Sequence, residues 1–347
     1  MSITLIVFIC LALIFDFLNG FHDSSNIVST IISSRALAPR TALTVTAICE
    51  FIGPFLFGVA VATTIGSEVL NLPANPSEAI PLIVSALVAA VLWNVLTWYL
   101  GIPSSSSHAL IGGMIGAALT DAIFDQAGIG FYTMNDLYGI FHVVKLTGFL
   151  KVVTALFISP PLGFAAGFIL LKLIRFLSRG ASPGINYLFK RGQVVTAIGL
   201  ALSHGTNDAQ KTMGIITMGL LAMGIIPDFK VPIWVVAMCA AAIAAGTATG
   251  GWRLIRTLGG KFYKIRPIHG FNTQIAGAAV ILGAALMGGP VSTTQVVSSA
   301  IMGTGSAERL SKVRWNTGKQ IVVTWFVTIP ATAIVSGLVF CLVRRFL

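Results

Sequence analysis

Asp16, Asn19, Asp23 and Asn26 follow one another at spacings of three, four and three residues, and His204, Asp208 and Lys211 repeat the spacing four and three. On a continuous helix each set lies along one face. Both sets sit inside long apolar stretches, where a charged side chain at mid-bilayer costs about 2.5–3.5 kcal/mol. Carboxylates kept at that cost are expected to hold a proton or a cation. Asp23 and Asp208 are the first candidates, with His22, Asn26 and Asn207 beside them; the alternative is a structural polar cluster that joins helices, or Asp208 merely paired with Lys211. Glu50, in the middle of another apolar stretch, stands between an ion-path residue and a buried helix–helix hydrogen bond. Asp16 has no acidic counterpart in the second set, where Ala201 occupies its place, and is open between a functional and a structural role. Asn94 and Gln274 read more readily as helix–helix hydrogen bonds, and His142 and His269 as interface residues.

A second pair of motifs suits an anion. Pro-Ser-Ser-Ser-Ser-His (Pro103 to His108) and Pro-Val-Ser-Thr-Thr-Gln (Pro290 to Gln295) each open an apolar run. Proline fits the first turn of a helix, and serine and threonine fit its cap. A helix N-terminus ringed by hydroxyls is a site for a tetrahedral oxyanion. Ordinary capping is the alternative for one such motif. Two facing each other inside a membrane point to substrate binding by Ser105, Ser106, Ser107, Ser292, Thr293 and Thr294, with Lys211 as the cationic partner.

These residues need elements to position them. Of 347 residues, 56% are hydrophobic and 10% charged, against about 25% charged in soluble domains. The surface must face lipid, and the chain reads as an all-α, multi-pass protein of a cytoplasmic membrane. Its net charge of +11 comes from Lys and Arg in short loops. That is the positive-inside pattern and excludes a nucleic-acid partner. Ten apolar segments fall near 3–34, 41–64, 79–100, 107–125, 150–174, 193–226, 231–250, 268–288, 291–304 and 320–343. Segments 3–34 and 193–226 exceed the roughly 20 residues of a span and have Gly and polar residues mid-way, which predicts discontinuous helices. The Ser/Thr motifs predict half-helices or re-entrant segments. Alternating the ten segments puts both termini outside and leaves Arg344 and Arg345 on the side where basic residues are unexpected.

The motifs recur in order. GFHDSSN (from Gly20) answers GTNDAQK (from Gly205), and PSSSSH answers PVSTTQ, at nearly equal offsets. An odd number of segments separates the copies, so an inverted-topology repeat is expected, with a site near the midplane. The division expected is 1–125 for the first repeat, 126–192 for a linking span and basic loop, 193–305 for the second repeat, and 306–347 for a loop and last helix.

NGFHDSSN, SHGTNDAQKTMG, PSSSSHALIGG and PVSTTQVVSSA together resemble the inorganic phosphate transporter (Pit) family, in particular its bacterial low-affinity branch. The resemblance covers essentially the whole chain. It implies a homodimer of inverted repeats that carries phosphate, in some members sulfate, with a coupling cation and no other cofactor. For the bacterial branch it implies proton symport, in part of a neutral metal–phosphate complex, with sodium coupling elsewhere. It makes Asp23 and Asp208 cation or proton ligands, and the Ser/Thr at 105–107 and 292–294 phosphate ligands. His22 replaces the family's more usual Asn, and because histidine is the residue type suited to proton exchange at physiological pH it favours protons. Gln295 and Gln274 replace a usual His and Glu and cannot move protons. A sulfate permease and a passive channel stay open. An intramembrane hydrolase is remote, since neighbouring residues such as Ser107 and His108 point about 100° apart on a helix. Asp208→Asn is expected to abolish coupled uptake and leave folding and dimerisation intact.

Overall fold

The computed structural model describes residues 3–70, 75–126 and 144–344, with side chains at 124–126 left aside. His142, Arg345 and most of the acidic stretch 121–136 lie outside the described residues. Twelve helices occupy the described chain: α1 (Ile3–Ser33), α2 (Pro39–Leu56), α3 (Ala60–Thr63, continued by a π turn Thr64–Glu68), α4 (Pro76–Leu100), α5 (Ser106–Gln126), α6 (Leu146–Leu177), α7 (Ile185–Ala222), α8 (Ile233–Thr249), α9 (Trp252–Gly260), α10 (Pro267–Leu286), α11 (Thr293–Glu308) and α12 (Trp315–Val343). No strand occurs among the described residues. Four helices, α1, α4, α6 and α12, are long and apolar enough to cross a membrane. The pairs α2–α3 and α8–α9, bent by 72° and 70°, bring the total to six. With α5, α7, α10 and α11, which are interrupted by polar residues or short, these account for the ten apolar segments. The protein is an all-helical, multi-pass membrane protein.

The breaks are not where the sequence pattern put them. α1 and α7 run unbroken through the polar motifs for 31 and 38 residues. Their central glycines serve close approach instead of a break. A Cβ on Gly20 would lie 2.1 Å from the Ile243 carbonyl oxygen of α8, and one on Gly205 2.4 Å from that of Glu50 on α2. The discontinuities lie in α2–α3 and α8–α9, and each is stitched by a long helix of the other half. Gln210 of α7 accepts from Val61 N (2.8 Å) and donates to Gly58 O (2.7 Å). Ser24 of α1 accepts from Gly251 N (2.9 Å). These bonds satisfy backbone groups that water would satisfy in a soluble protein.

Two hydrophobic clusters hold the molecule, and the polar motifs lie between them. The first takes Phe8, Ala12 and Phe15 from the start of α1 but Met213, Ile215 and Ile216 from the later part of α7. The second takes Ile27, Val28 and Ile31 from the end of α1 but Ala197, Leu200 and Ala201 from the earlier part of α7. The two long helices therefore cross the clusters in opposite order. α5 packs into the first cluster through Leu110 and Met114, and α11 into the second through Val297 and Ile301. Both begin at the level of the polar motifs and leave in opposite directions.

The basic residue at the chain end has an acidic neighbour. Arg344 lies 3.7 Å from Asp121 at the far end of α5. Cys49 and Cys239 are buried, whereas Cys10 is exposed on α1. Residue 193, the expected start of the second repeat, falls within α7.

Candidate functional site

α1 and α7 bring their polar faces together, and the tips of α5 and α11 close on them. Asp23, Asp208, Glu50, His204, Asn207, Asn26, Lys211, His22 and all six Ser/Thr positions are buried, none more than 3% exposed. The Asp23 carboxylate faces His22 Nδ1 at 2.9 Å and accepts from Thr294 Oγ1 at 2.8 Å and from Thr293 Oγ1 at 3.1 Å. The same Thr293 oxygen lies 3.2 Å from Asp208 Oδ2. A hydroxyl has one proton, so it cannot satisfy both carboxylates at once.

His204 completes the centre. Its Nδ1 lies 2.7 Å from Glu50 Oε1, and its Nε2 lies 3.3 Å from Asp208 and 3.9 Å from Asp23. Ligand atoms of Asp23, His204 and Asp208 all lie within 4.8 Å of one another. The set fits a proton or one small cation. Its donors are two carboxylates, one hydroxyl and an imidazole, whereas a hard cation prefers an all-oxygen shell.

Lys211 uses all three of its N–H groups, on Asp208 Oδ1 (2.6 Å), Ser107 Oγ (2.6 Å) and Val291 O (2.9 Å). Asn207 Nδ2 donates to Asp208 Oδ1 (2.6 Å) and Val291 O (3.0 Å). Removing the Asp208 charge therefore leaves a buried ammonium without its counter-ion. The expectation that Asp208→Asn spares the fold needs revising.

The contacts cross between the halves. Asn26 of α1 donates to Thr294 of α11 (2.9 Å), as Lys211 of α7 does to Ser107 of α5 (2.6 Å). Asn19 of α1 reaches Asp208 of α7 (3.5 Å), as His204 of α7 reaches Asp23 of α1 (3.9 Å). The tips also touch: Ser107 Oγ donates to Val291 O (3.3 Å), and Gln295 Nε2 lies 2.7 Å from His108 Nδ1.

Each tip divides its hydroxyls by position. Ser105 and Ser292 are N-caps that accept from His108 N (3.1 Å) and Gln295 N (3.4 Å). Ser106 donates to Asn19 Oδ1 at 2.6 Å, Ser107 accepts from the Lys211 ammonium, and Thr293 and Thr294 donate to carboxylates of α1 and α7.

His204 and Asn19 were visible in the spacing of the motifs, but nothing in the sequence ranks them above their neighbours. Their weight comes from reaching the opposite half's aspartate. Gln274 bridges helices, donating to Thr30 (3.1 Å) and accepting from Thr196 (2.5 Å). His269 caps α10 and pairs with Glu308 at 3.0 Å. Asn94 is buried with no hydrogen bond to its side chain.

Residues 19–336 match the model of a family described as the phosphate transporter family. Among curated proteins, the chain is 41% identical to a probable low-affinity inorganic phosphate transporter of Bacillus subtilis over 340 residues, covering 97% of this chain and 96% of the relative. It is 41% identical to one of Rhizobium meliloti so described, covering 96% and 95%. A putative phosphate permease of Thermococcus kodakarensis is 28% identical, covering 92% and 93%. Among solved structures, a sodium-dependent phosphate transporter superposes with a TM-score of 0.86 over the whole of both chains at 24% identity, a likeness of fold.

Proposed function

The chain belongs to the phosphate transporter family, and from that premise we propose that it carries inorganic phosphate across the cell membrane in symport with a cation, by alternating access around this site. The observation that carries the reading is Thr293, one hydroxyl within reach of Asp23 (3.1 Å) and Asp208 (3.2 Å). A cation or proton bound between the carboxylates takes over the hydroxyl's role there. The Thr293 and Thr294 protons then turn to an anion, together with Ser106 and Ser107 at the other tip. Two helix N-termini add their free N–H groups and dipole ends. The anion site forms only when the cation is in place, which is coupling.

A proton is the favoured ion, because imidazoles stand on both sides of Asp23 and the oxygen shell for sodium is incomplete. Sodium is the second possibility, at Asp23 and Asp208. Phosphate is preferred to sulfate because HPO4 has a proton to donate to a carboxylate, and sulfate does not. The two halves are proposed to be inverted repeats that rock about the site. The matching element order, the bends of 72° and 70° and the crossed pairs Asn26–Thr294 and Lys211–Ser107 support this. A homodimer belongs to the same proposal and is tested by light scattering on the purified protein.

The function is tested in liposomes by following labelled phosphate under a pH gradient, a sodium gradient or neither, with and without excess sulfate or a divalent metal. Accumulation driven by the pH gradient and indifferent to sulfate is expected. Accumulation with sodium alone replaces the proton. Accumulation that requires the metal identifies a metal–phosphate complex as the transported form. No accumulation by folded protein under any gradient overturns the symport reading.

A further inference from the structure

Asp16 takes no part in the site described above, yet it is fully buried on α1. It lies seven residues before Asp23, two turns or about 10 Å along the helix. Neither of its oxygens has a partner in good hydrogen-bond geometry, and the Thr212 hydroxyl that faces it from α7 within electrostatic reach has no other partner. From α8 the Cys239 thiol faces it.

The charges around it do not neutralise it. Asp208 and Lys211 are the ionised groups of α7 on this side. Lys211 spends its three N–H groups on Asp208, Ser107 and Val291. α8 has no charged residue, and α4, also packed on α1, has Glu78 and Tyr99 near its ends as its only titratable groups. Asp16 is therefore a fully buried carboxyl group with no counter-ion in contact with it, an arrangement that is costly unless a partner satisfies it. Two carboxylate oxygens, one hydroxyl and a thiol are too few hard ligands for a metal cation. A proton suffices: it sits on one Asp16 oxygen and is donated to Thr212 Oγ1, so that both unsatisfied groups find a partner.

We propose that Asp16 is a proton-carrying site of its own, separate from the Asp23–His204–Asp208 cluster, which takes a proton from the outer solution and gives it to cytoplasmic water in each transport cycle. The inference rests on the symport reading and adds a second cation to it. When Asp16 loses its proton, its charge competes with Asp208 for Lys211 and draws the ammonium from Ser107. When the proton is bound, Lys211 stays on Ser107 and the α5 tip is held in place. Protonation outside and release inside thus report to the phosphate site through one lysine.

The test is made on the full-length protein in liposomes. Wild type is expected to accumulate phosphate under a pH gradient, with a measured number of protons per phosphate. Asp16→Asn is expected to go on exchanging phosphate for phosphate, to carry fewer protons per phosphate, and to lose at least tenfold of the pH-driven accumulation. Asp16→Glu is expected to restore it. Asp16→Asn accumulating phosphate to the wild-type level with unchanged proton stoichiometry overturns the proposal and leaves the symport reading standing. Wild type indifferent to the pH gradient overturns both. If Asp16→Asn does not fold, infrared difference spectra of wild type and Asp16→Glu decide. A protonated-carboxyl band that shifts in Asp16→Glu supports the proposal, and a spectrum without such a band overturns it.

Discussion

Lys211 Nζ lies 2.6 Å from Asp208 Oδ1, one turn back on the same unbroken helix, and both side chains are shut off from solvent. Breaking a buried pair by removing one charge costs about 3–5 kcal/mol, whereas replacing both partners by neutral groups is often tolerated. Asp208→Asn is expected to lower stability by that order, and Asp208→Asn with Lys211→Met to recover most of it. Neither variant is expected to accumulate phosphate. Thermal unfolding in detergent and liposome uptake check the two halves separately. An Asp208→Asn protein as stable as wild type contradicts the pairing.

Thr293 separates a hydroxyl's chemistry from its shape. Thr293→Ser keeps the proton between Asp23 and Asp208, whereas Thr293→Val removes it and leaves two buried carboxylates short of a donor. The loss is about 1–3 kcal/mol, or roughly fivefold to 160-fold in kcat/KM for phosphate. Uptake by Thr293→Ser is expected to stay within a few-fold of wild type. Equal activity of the Val and wild-type proteins rules out Thr293 as a ligand or switch.

Gly205 tests the packing that positions α7. A Cβ there would lie 2.4 Å from the Glu50 carbonyl oxygen, and backbone cannot move aside as a side chain can. Gly205→Ala is expected to cost about 1–3 kcal/mol by overpacking and to reduce uptake by displacing His204 from Glu50. The control is Gly199→Ala on the same helix, where a Cβ meets nothing within 4 Å and the better helix former is neutral or mildly stabilising. Unfolding temperatures of the two variants give the comparison.

Glu308, the last residue of α11, reaches into the basic loop beyond the membrane segments. Partial burial works to raise its pKa, but the hydrogen bond with Lys312 and the charges of His269, Lys312 and Arg266 outweigh it and bring the value down to about 2. A carboxyl group whose folded pKa is depressed adds stability above its unfolded pKa and loses it as pH falls through the folded one. The contribution is therefore present above about pH 4.5 and lost towards pH 2. Because the group is partly exposed, solvent screening reduces it to about 1 kcal/mol. Glu308→Gln is expected to be less stable than wild type at pH 7, and the two unfolding curves to converge between pH 5 and pH 2. A difference independent of pH excludes the charge as its cause.

By itself the sequence determined the membrane class, the helical character and the residues that share a helix face. Composition shows which solvent the surface meets, and periodicity shows which side chains lie in line. Asp23, Asp208, Lys211 and the two Ser/Thr tips were legible in this way, because polar residues in an apolar run stand out. What each face meets was not legible. Thr294 reaches Asp23 across 271 residues of chain and Thr293 reaches Asp208 across 85, and no local pattern encodes such distances. Gly20 and Gly205 looked like helix breaks, and only the neighbouring carbonyl oxygens reveal them as points of close approach. His204 gained its place from reaching Glu50 and both aspartates. The tertiary structure decided these matters because hydrogen bonds and steric exclusion act between surfaces, and a sequence states only one surface at a time.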